Sequence, residues 1–340
     1  MNLRSVFVTV VLVWAICAAP SGAQETLGDL VASGGYDWII GRWVASTDEG
    51  QKVEFDFAWA LDKHVVLNSF QMEGWKYQGI ITLSPTDQEA VDQGVDNRGG
   101  LWKGVWSPEG DGLVRKVEHT SPEGQVRKGD MVVTKGEGDT ITIAIYLLDS
   151  SGNRNADPMS KLTYKRQPGK AAAVSAAAEA SDRATDYQKL GDIVSENGYQ
   201  WLIGQWVGNE NNRTYELEYK PILDNHAASV DMKIGDFRYT GLITYVPSRQ
   251  EVVEFGADTL GRTWKLMWEQ DGSDLVNQCE LTKADGTTQK LQHVFTKVGN
   301  DEFKAKLYSI EPSGSRGSEP LEQATFKRQK PAAPPAKPAK

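Results

Sequence analysis

Lys52-Val53-Glu54-Phe55-Asp56-Phe57-Ala58-Trp59 places Val53, Phe55, Phe57 and Trp59 on every second position, with Glu54 and Asp56 between them. A period of two is the pattern of a strand with one face buried and the other in water. The reading returns later in the chain, where Tyr215, Leu217 and Tyr219 alternate with Glu216 and Glu218. Outward from the first stretch, Leu61-Asp62-Lys63 reads as a turn. Further alternating runs follow at His64 to Met72, Trp75 to Leu83, Ala90 to Val95, Leu101 to Trp106 and Leu113 to His119. Gln125 to Thr134, Thr140 to Leu148 and Met159 to Arg166 complete the set. With a short strand at Trp43 this makes roughly ten strands, joined by hairpin-sized turns such as Pro108 to Gly112 and Pro122-Glu123-Gly124. Only Leu27 to Ile40 reads as helical.

The whole pattern occurs twice. Gly35-Tyr36-Asp37-Trp38-Ile39-Ile40-Gly41-Arg42-Trp43-Val44 is echoed by Gly198-Tyr199-Gln200-Trp201-Leu202-Ile203-Gly204-Gln205-Trp206-Val207, and Lys165-Arg166-Gln167 by Lys327-Arg328-Gln329. A duplication of about 140 residues fixes two domains. The expected fold is all-β: two tandem up-and-down antiparallel β-barrels of about ten strands each, each with a short N-terminal helix. A sandwich shares the alternation. Closure is favoured because neither end of the repeat carries the charges or prolines that protect an edge strand.

At the start of the chain, Arg4 followed by apolar Val6 to Ala18 and small Ser21-Gly22-Ala23 reads as a secretory signal peptide over residues 1–23. A lipoprotein anchor at Cys17 is the alternative, opposed by bulky Ile16. The expected divisions are barrel 1 at 24–167, an Ala-rich linker at 168–186, barrel 2 at 187–329 and a Pro/Ala/Lys tail at 330–340. A periplasmic or secreted location follows, and after cleavage Cys279 is the only cysteine, so no internal disulfide forms. No later segment has the ~18 unbroken apolar residues of a membrane helix. The net charge of −9 opposes nucleic-acid binding. The tail is either a plain solvated extension or a contact for an anionic envelope polymer.

A residue kept in both copies is the better candidate for a shared role. Alternation points His64, Tyr77, Trp102 and Trp106 inward with the apolar set, matched by His226, Tyr239, Trp264 and Trp268. These eight are the candidate ligand-binding residues of the lumens. The histidines either orient a polar head group or fill a strand start and bond to backbone. The tyrosines either donate inside the lumen or reach water at its rim. The indoles either line a cavity or fill the barrel. Asp96-x-x-Gly99-x-x-Trp102 and Asp258-x-x-Gly261-x-x-Trp264 read as hairpin turns in which Asp bonds backbone amides. Carboxylates elsewhere, including Glu118 and Glu280, fall on the outward face by alternation, and no catalytic constellation, no metal-ligand spacing, no cofactor motif and no paired inward carboxylates in both copies are expected.

Gly41-Arg42-Trp43 and Gly204-Gln205-Trp206 open the first strands, and Arg166 and Arg328 lie in the last ones. A Gly-x-Trp on the first strand with a basic residue on the last resembles the calycin superfamily of lipocalins and fatty-acid-binding proteins, most of all the bacterial calycin-like domains related to nitrobindin-type barrels. The resemblance implies that Trp43 pairs with Arg166 and Trp206 with Arg328 to close each barrel by a cation–π contact. It departs from the haem barrels at Ala45 and Thr47, where they carry glycines. Neither copy has a histidine in its final two strands, so haem is not expected. The leading expectation is therefore an extracytoplasmic binding protein for a small, mostly apolar ligand. The alternatives are a non-catalytic structural or interaction module of the envelope with filled barrels, and an enzyme using the lumen histidines.

Overall fold

The computed structural model describes residues 25–168 and 187–329. The expected leader, the expected linker from residue 169 onward and the expected tail lie outside the described residues. In the first repeat the strands are β1 (Gly41–Ser46), β2 (Lys52–Ala60), β3 (Val65–Met72), β4 (Trp75–Leu83), β5 (Ala90–Asp96), β6 (Leu101–Glu109), β7 (Gly112–Thr120), β8 (Val126–Lys135), β9 (Thr140–Leu147) and β10 (Ser160–Gln167). In the second they are β11 (Gly204–Glu210), β12 (Arg213–Ile222), β13 (Ala227–Ile234), β14 (Phe237–Val246), β15 (Glu251–Asp258), β16 (Thr263–Asp271), β17 (Asp274–Thr282), β18 (Thr288–Gly299), β19 (Glu302–Ser309) and β20 (Glu322–Arg328). Each set is a closed antiparallel barrel in chain order, with β1 paired to β10 and β11 to β20. A closed barrel has no edge strand to protect.

Helix α1 (Leu27–Ser33) and its counterpart α2 (Leu190–Glu196) precede the barrels. The helix expected to reach Ile40 ends at Ser33, before Gly34-Gly35, and a single 3-10 turn at Asp37–Ile39 follows. Its start is fixed by a capping box. The Thr26 hydroxyl accepts from the Asp29 N–H at 3.1 Å, and the Asp29 carboxylate accepts from the Thr26 N–H at 2.9 Å.

The seam where each barrel closes is built alike. Trp43 donates its indole N–H to the Ile39 carbonyl at 2.8 Å, and the Arg166 guanidinium lies 4.2 Å from the indole centroid while donating to the carbonyls of Trp38 and Ile40. Trp206 and Arg328 repeat this at 2.8 and 4.2 Å. Gly41 and Gly204 have φ of +138° and +124°, and a Cβ at either would run into the guanidinium. Glycine is required twice over, by backbone and by space.

The barrels meet along the outer faces of β3–β5 and β13–β15. Leu61, Val65, Ile80 and Val95 pack with Ile222, Ala227, Leu242, Phe255 and Ala257 in one buried cluster. Charged groups at equivalent repeat positions cross this contact in both directions: Lys76 to Asp224 at 3.0 Å, and Arg238 to Asp62. Asp224 also accepts from the Asn97 amide at 3.1 Å. Both aspartates sit in one-turn left-handed segments. Leu61, Asp62 and Lys63 have φ of 48°, 54° and 70°, and Leu223, Asp224 and Asn225 have 52°, 56° and 69°. Side chains in that region cost roughly 1–2 kcal/mol each, so tertiary contacts must hold the turn.

Candidate functional site

The first lumen is stacked in three layers along its axis. At the end covered by α1 lies an apolar cavity of about 260 Å³. Its walls are Leu27, Leu30 and Val31 of the helix, Tyr36 and Ile39 behind it, and Phe57, Val66, Ile81, Ala90, Trp106 and Leu113 from successive strands. The helix buries its apolar face here because a strand barrel alone leaves this end open.

Asp92, 1 % exposed, is the hub of the middle layer. One carboxylate oxygen accepts from the Tyr77 hydroxyl at 2.8 Å and from Arg115 Nη2 at 2.7 Å. The other accepts from Asn68 Nδ2 at 2.9 Å, with the Trp106 indole N–H farther off at 3.5 Å. Arg115 also donates to the Tyr77 oxygen at 3.0 Å. Burial pushes the Tyr77 hydroxyl well above the ordinary tyrosine range, so it stays a donor. Tyr77 fits because Gly79 and Gly94 face each other across β4 and β5, and a Cβ on either would collide with its phenol.

Aromatic rings form the mouth. Trp102 packs against Trp75, Tyr77 and the His119 ring, the last at 4.2 Å between centroids. Asp96 accepts from the Trp102 indole at 2.7 Å and from the amides of Arg98 and Gly100 at 2.9 Å each. The repeated Asp-x-x-Gly-x-x-Trp segment is thus the turn that the spacing implied. Its Asp also anchors the indole.

The second lumen keeps the frame and changes the chemistry. Glu254 stands in the place of Asp92 and accepts from the Tyr239 hydroxyl at 2.6 Å and the Trp268 indole at 2.8 Å. Asn277 stands in the place of Arg115, so the counter-charge that β7 brings to Asp92 is missing from β17. Burial pushes the Glu254 carboxyl up to about 7, against the pull of its two hydrogen bonds. Asn277 is instead 2.8 Å from His293 Nδ1, and burial lowers that imidazole to about 4. Cys279 is buried nearby, its thiol pushed up by burial and then by Glu254. An inert thiol results.

Two exchanges keep both cores filled. Arg115 lies over Gly104, where a Cβ would press on its Nε and Cγ, and the second copy pairs the shorter Asn277 with the larger Leu266. His119 lies over Gly100, and the second copy has Leu281 with Arg262, whose Nε reaches Asp258 at 2.6 Å. In the first exchange large and small have swapped strands.

Of the residues expected in the lumens, Tyr77 and Tyr239 stand in the middle layers, Trp106 and Trp268 beneath them, and Trp102 and Trp264 at the mouths. His64 and His226 are placed differently. They end the left-handed turns and face the other barrel: His64 shares a small pocket with Ala257, Gly261 and Thr263, and the His226 ring lies against Gly99. Because a turn precedes them, strand alternation does not extend back to their positions. Burial lowers both imidazoles, His226 to about 4. The expectation that the remaining carboxylates fall on the outward face is overturned by Asp92 and Glu254. On β5 and β15 the outward parity carries apolar Val95 in the first copy and Phe255 and Ala257 in the second, where the other barrel covers them, so alternation misreads which face is inward. The repeat held the signal, because Asp92-x-Gly94-x-Asp96 answers Glu254-x-Gly256-x-Asp258.

No family model matches this chain, and none of the curated proteins does. Among solved structures it is similar to a protein of unknown function of the DUF3598 family from Nostoc punctiforme, at 12 % identity and a TM-score of 0.23, covering 86 % of this chain and 97 % of that one. So loose a likeness carries nothing about function.

Proposed function

We propose that the chain is an extracytoplasmic binding protein built from two calycin-like barrels, and that the first barrel holds a small, mostly apolar ligand beneath α1. The observation that carries this reading is the cavity of about 260 Å³ walled by aliphatic and aromatic side chains. An engineered apolar cavity of roughly 150 Å³ already takes up benzene, so this one is large enough for a longer molecule. It falls a little short of the roughly 300 Å³ at which drug-sized pockets begin, which sets the ligand class as small. The leader read at residues 1–23 supports the location.

The second barrel supports a packing role. Phe303 stacks on Phe326 at 4.9 Å and meets Trp206 edge-on at 4.7 Å, where the first barrel has the aliphatic Ile141. Methyl NMR of the full chain during titration with small apolar probes tests the reading. Shifts should concentrate at Val66, Ile81 and Leu113 and vanish in Ala90→Phe, which fills the cavity. Probe-induced shifts that persist unchanged in Ala90→Phe, or no shifts in the wild type, refute it.

A further inference from the structure

The lumen turns polar just beyond the apolar cavity. Val66, Ile81, Ala90 and Leu113 line it, and two residues further along the same strands stand Asn68, Gly79, Asp92 and Arg115. Inward positions in a strand recur every second residue, so this polar layer is the next tier of the same lumen. Two of its atoms have no hydrogen-bond partner although both residues are more than nine-tenths buried: the Asn68 side-chain oxygen, an acceptor, and Arg115 Nε, a donor. Asn68 Oδ1 lies over Gly79 and Arg115 Nε over Gly104, both inward-facing glycines. A buried polar atom left unsatisfied costs roughly 1–3 kcal/mol, and here an acceptor and a donor flank the same carboxylate.

Resting on the binding reading above, we infer that the first barrel selects apolar molecules bearing one uncharged hydroxyl, an alcohol or a phenol, whose head group enters the Asn68–Asp92–Arg115 layer. A hydroxyl supplies one donor and two acceptor sites, which matches an unpaired acceptor and an unpaired donor. Asp92 and Arg115 already neutralise each other at 2.7 Å, so neither an ionised acid nor an ammonium finds a free counter-charge and each would carry its full desolvation cost. The second barrel lacks the arrangement. Val230 replaces Asn68, Asn277 replaces Arg115 and Leu266 replaces Gly104.

The test titrates the full chain with 1-hexanol, n-hexane, hexanoate and hexylammonium, followed at the methyls of Val66, Ile81 and Leu113. Hexanol should bind at least about tenfold more tightly than each of the other three, the value of one added hydrogen bond. Asn68→Val, which installs the second barrel's residue, should bring hexanol to within about twofold of hexane. Hexane binding as tightly as hexanol in the wild type overturns the head-group inference and leaves the apolar site standing. Hexanoate or hexylammonium binding tightest overturns it as well. No probe moving these methyls sinks both this inference and the binding reading. The wild-type ranking decides the matter even where Asn68→Val fails to fold.

Discussion

Replacing Glu254 by Gln should change how stability depends on pH. The carboxyl is held near 7 in the folded barrel against an ordinary value of 4.5, chiefly by burial. The folded state therefore holds this proton where the unfolded chain has released it. Its contribution is fully present below the unfolded value and is lost as pH rises through the folded value. About 2.5 units at 1.36 kcal/mol each give ~3 kcal/mol, of which about 2.5 kcal/mol falls between pH 5 and pH 8. Two buried histidines act oppositely. His226 and His293 are lowered to about 4, so each loses stability as pH falls from its unfolded value of 6.5. The wild-type curve alone thus mixes the two signs, and the quantity to measure is the difference between wild type and Glu254→Gln. Gln keeps the volume and an acceptor for one of Tyr239 and Trp268 but cannot ionise. Urea denaturation at pH 5, 6, 7 and 8 should show the variant gaining about 2.5 kcal/mol on the wild type across the series. A difference flat to within about 0.5 kcal/mol refutes the claim that burial without a counter-charge governs this carboxyl.

Arg115→Asn should cost about 3–5 kcal/mol by stranding Asp92, and adding Gly104→Leu should recover more than about 1 kcal/mol of it, measured as a coupling energy in a double-mutant cycle. Gly79→Ala should lower the melting temperature by several degrees, because its methyl would occupy the space of the Tyr77 hydroxyl and the Asn68 oxygen; an unchanged melting temperature counts against the tight layer. Asp224→Ala should destabilise by about 1–2 kcal/mol, since the half-buried carboxylate bonds Lys76 and Asn97 across the barrel contact. Asp62→Ala should cost less, because Asp62 is largely exposed. Denaturation of the two variants side by side reads the order, and a larger loss for Asp62 would be inconsistent with this view of the seam.

What the sequence by itself determined is the barrel and its number. Val53, Phe55 and Phe57 alternate with charge, the pattern recurs for ten strands, and the whole unit repeats; period two ties each side chain to a face, so strand order and inward sets at β3, β4 and β6 followed directly. The Trp43–Arg166 and Trp206–Arg328 pairs were implied by the resemblance carried by Gly-x-Trp and the closing Arg, and alternation agreed with it, since Arg166 shares the face of Leu162 and Tyr164. Alternation failed where a residue is buried on the outside. Val65-Val66 and Ile80-Ile81 are apolar on both parities, a mark of strands covered on both faces, yet nothing in a linear pattern says that the cover is the other copy. His64 and His226 were misplaced into the lumens because the left-handed turn before them redirects the chain. Only the tertiary structure decided which polar side chains meet. Asp92, Asn68, Tyr77 and Arg115 come from four strands separated by up to 47 positions, and their meeting depends on barrel closure and on glycines that leave room. The same geometry decided that one copy balances its buried carboxylate with a guanidinium while the other leaves it to two neutral donors, a difference that the repeat concealed behind a conservative-looking exchange of Asp for Glu.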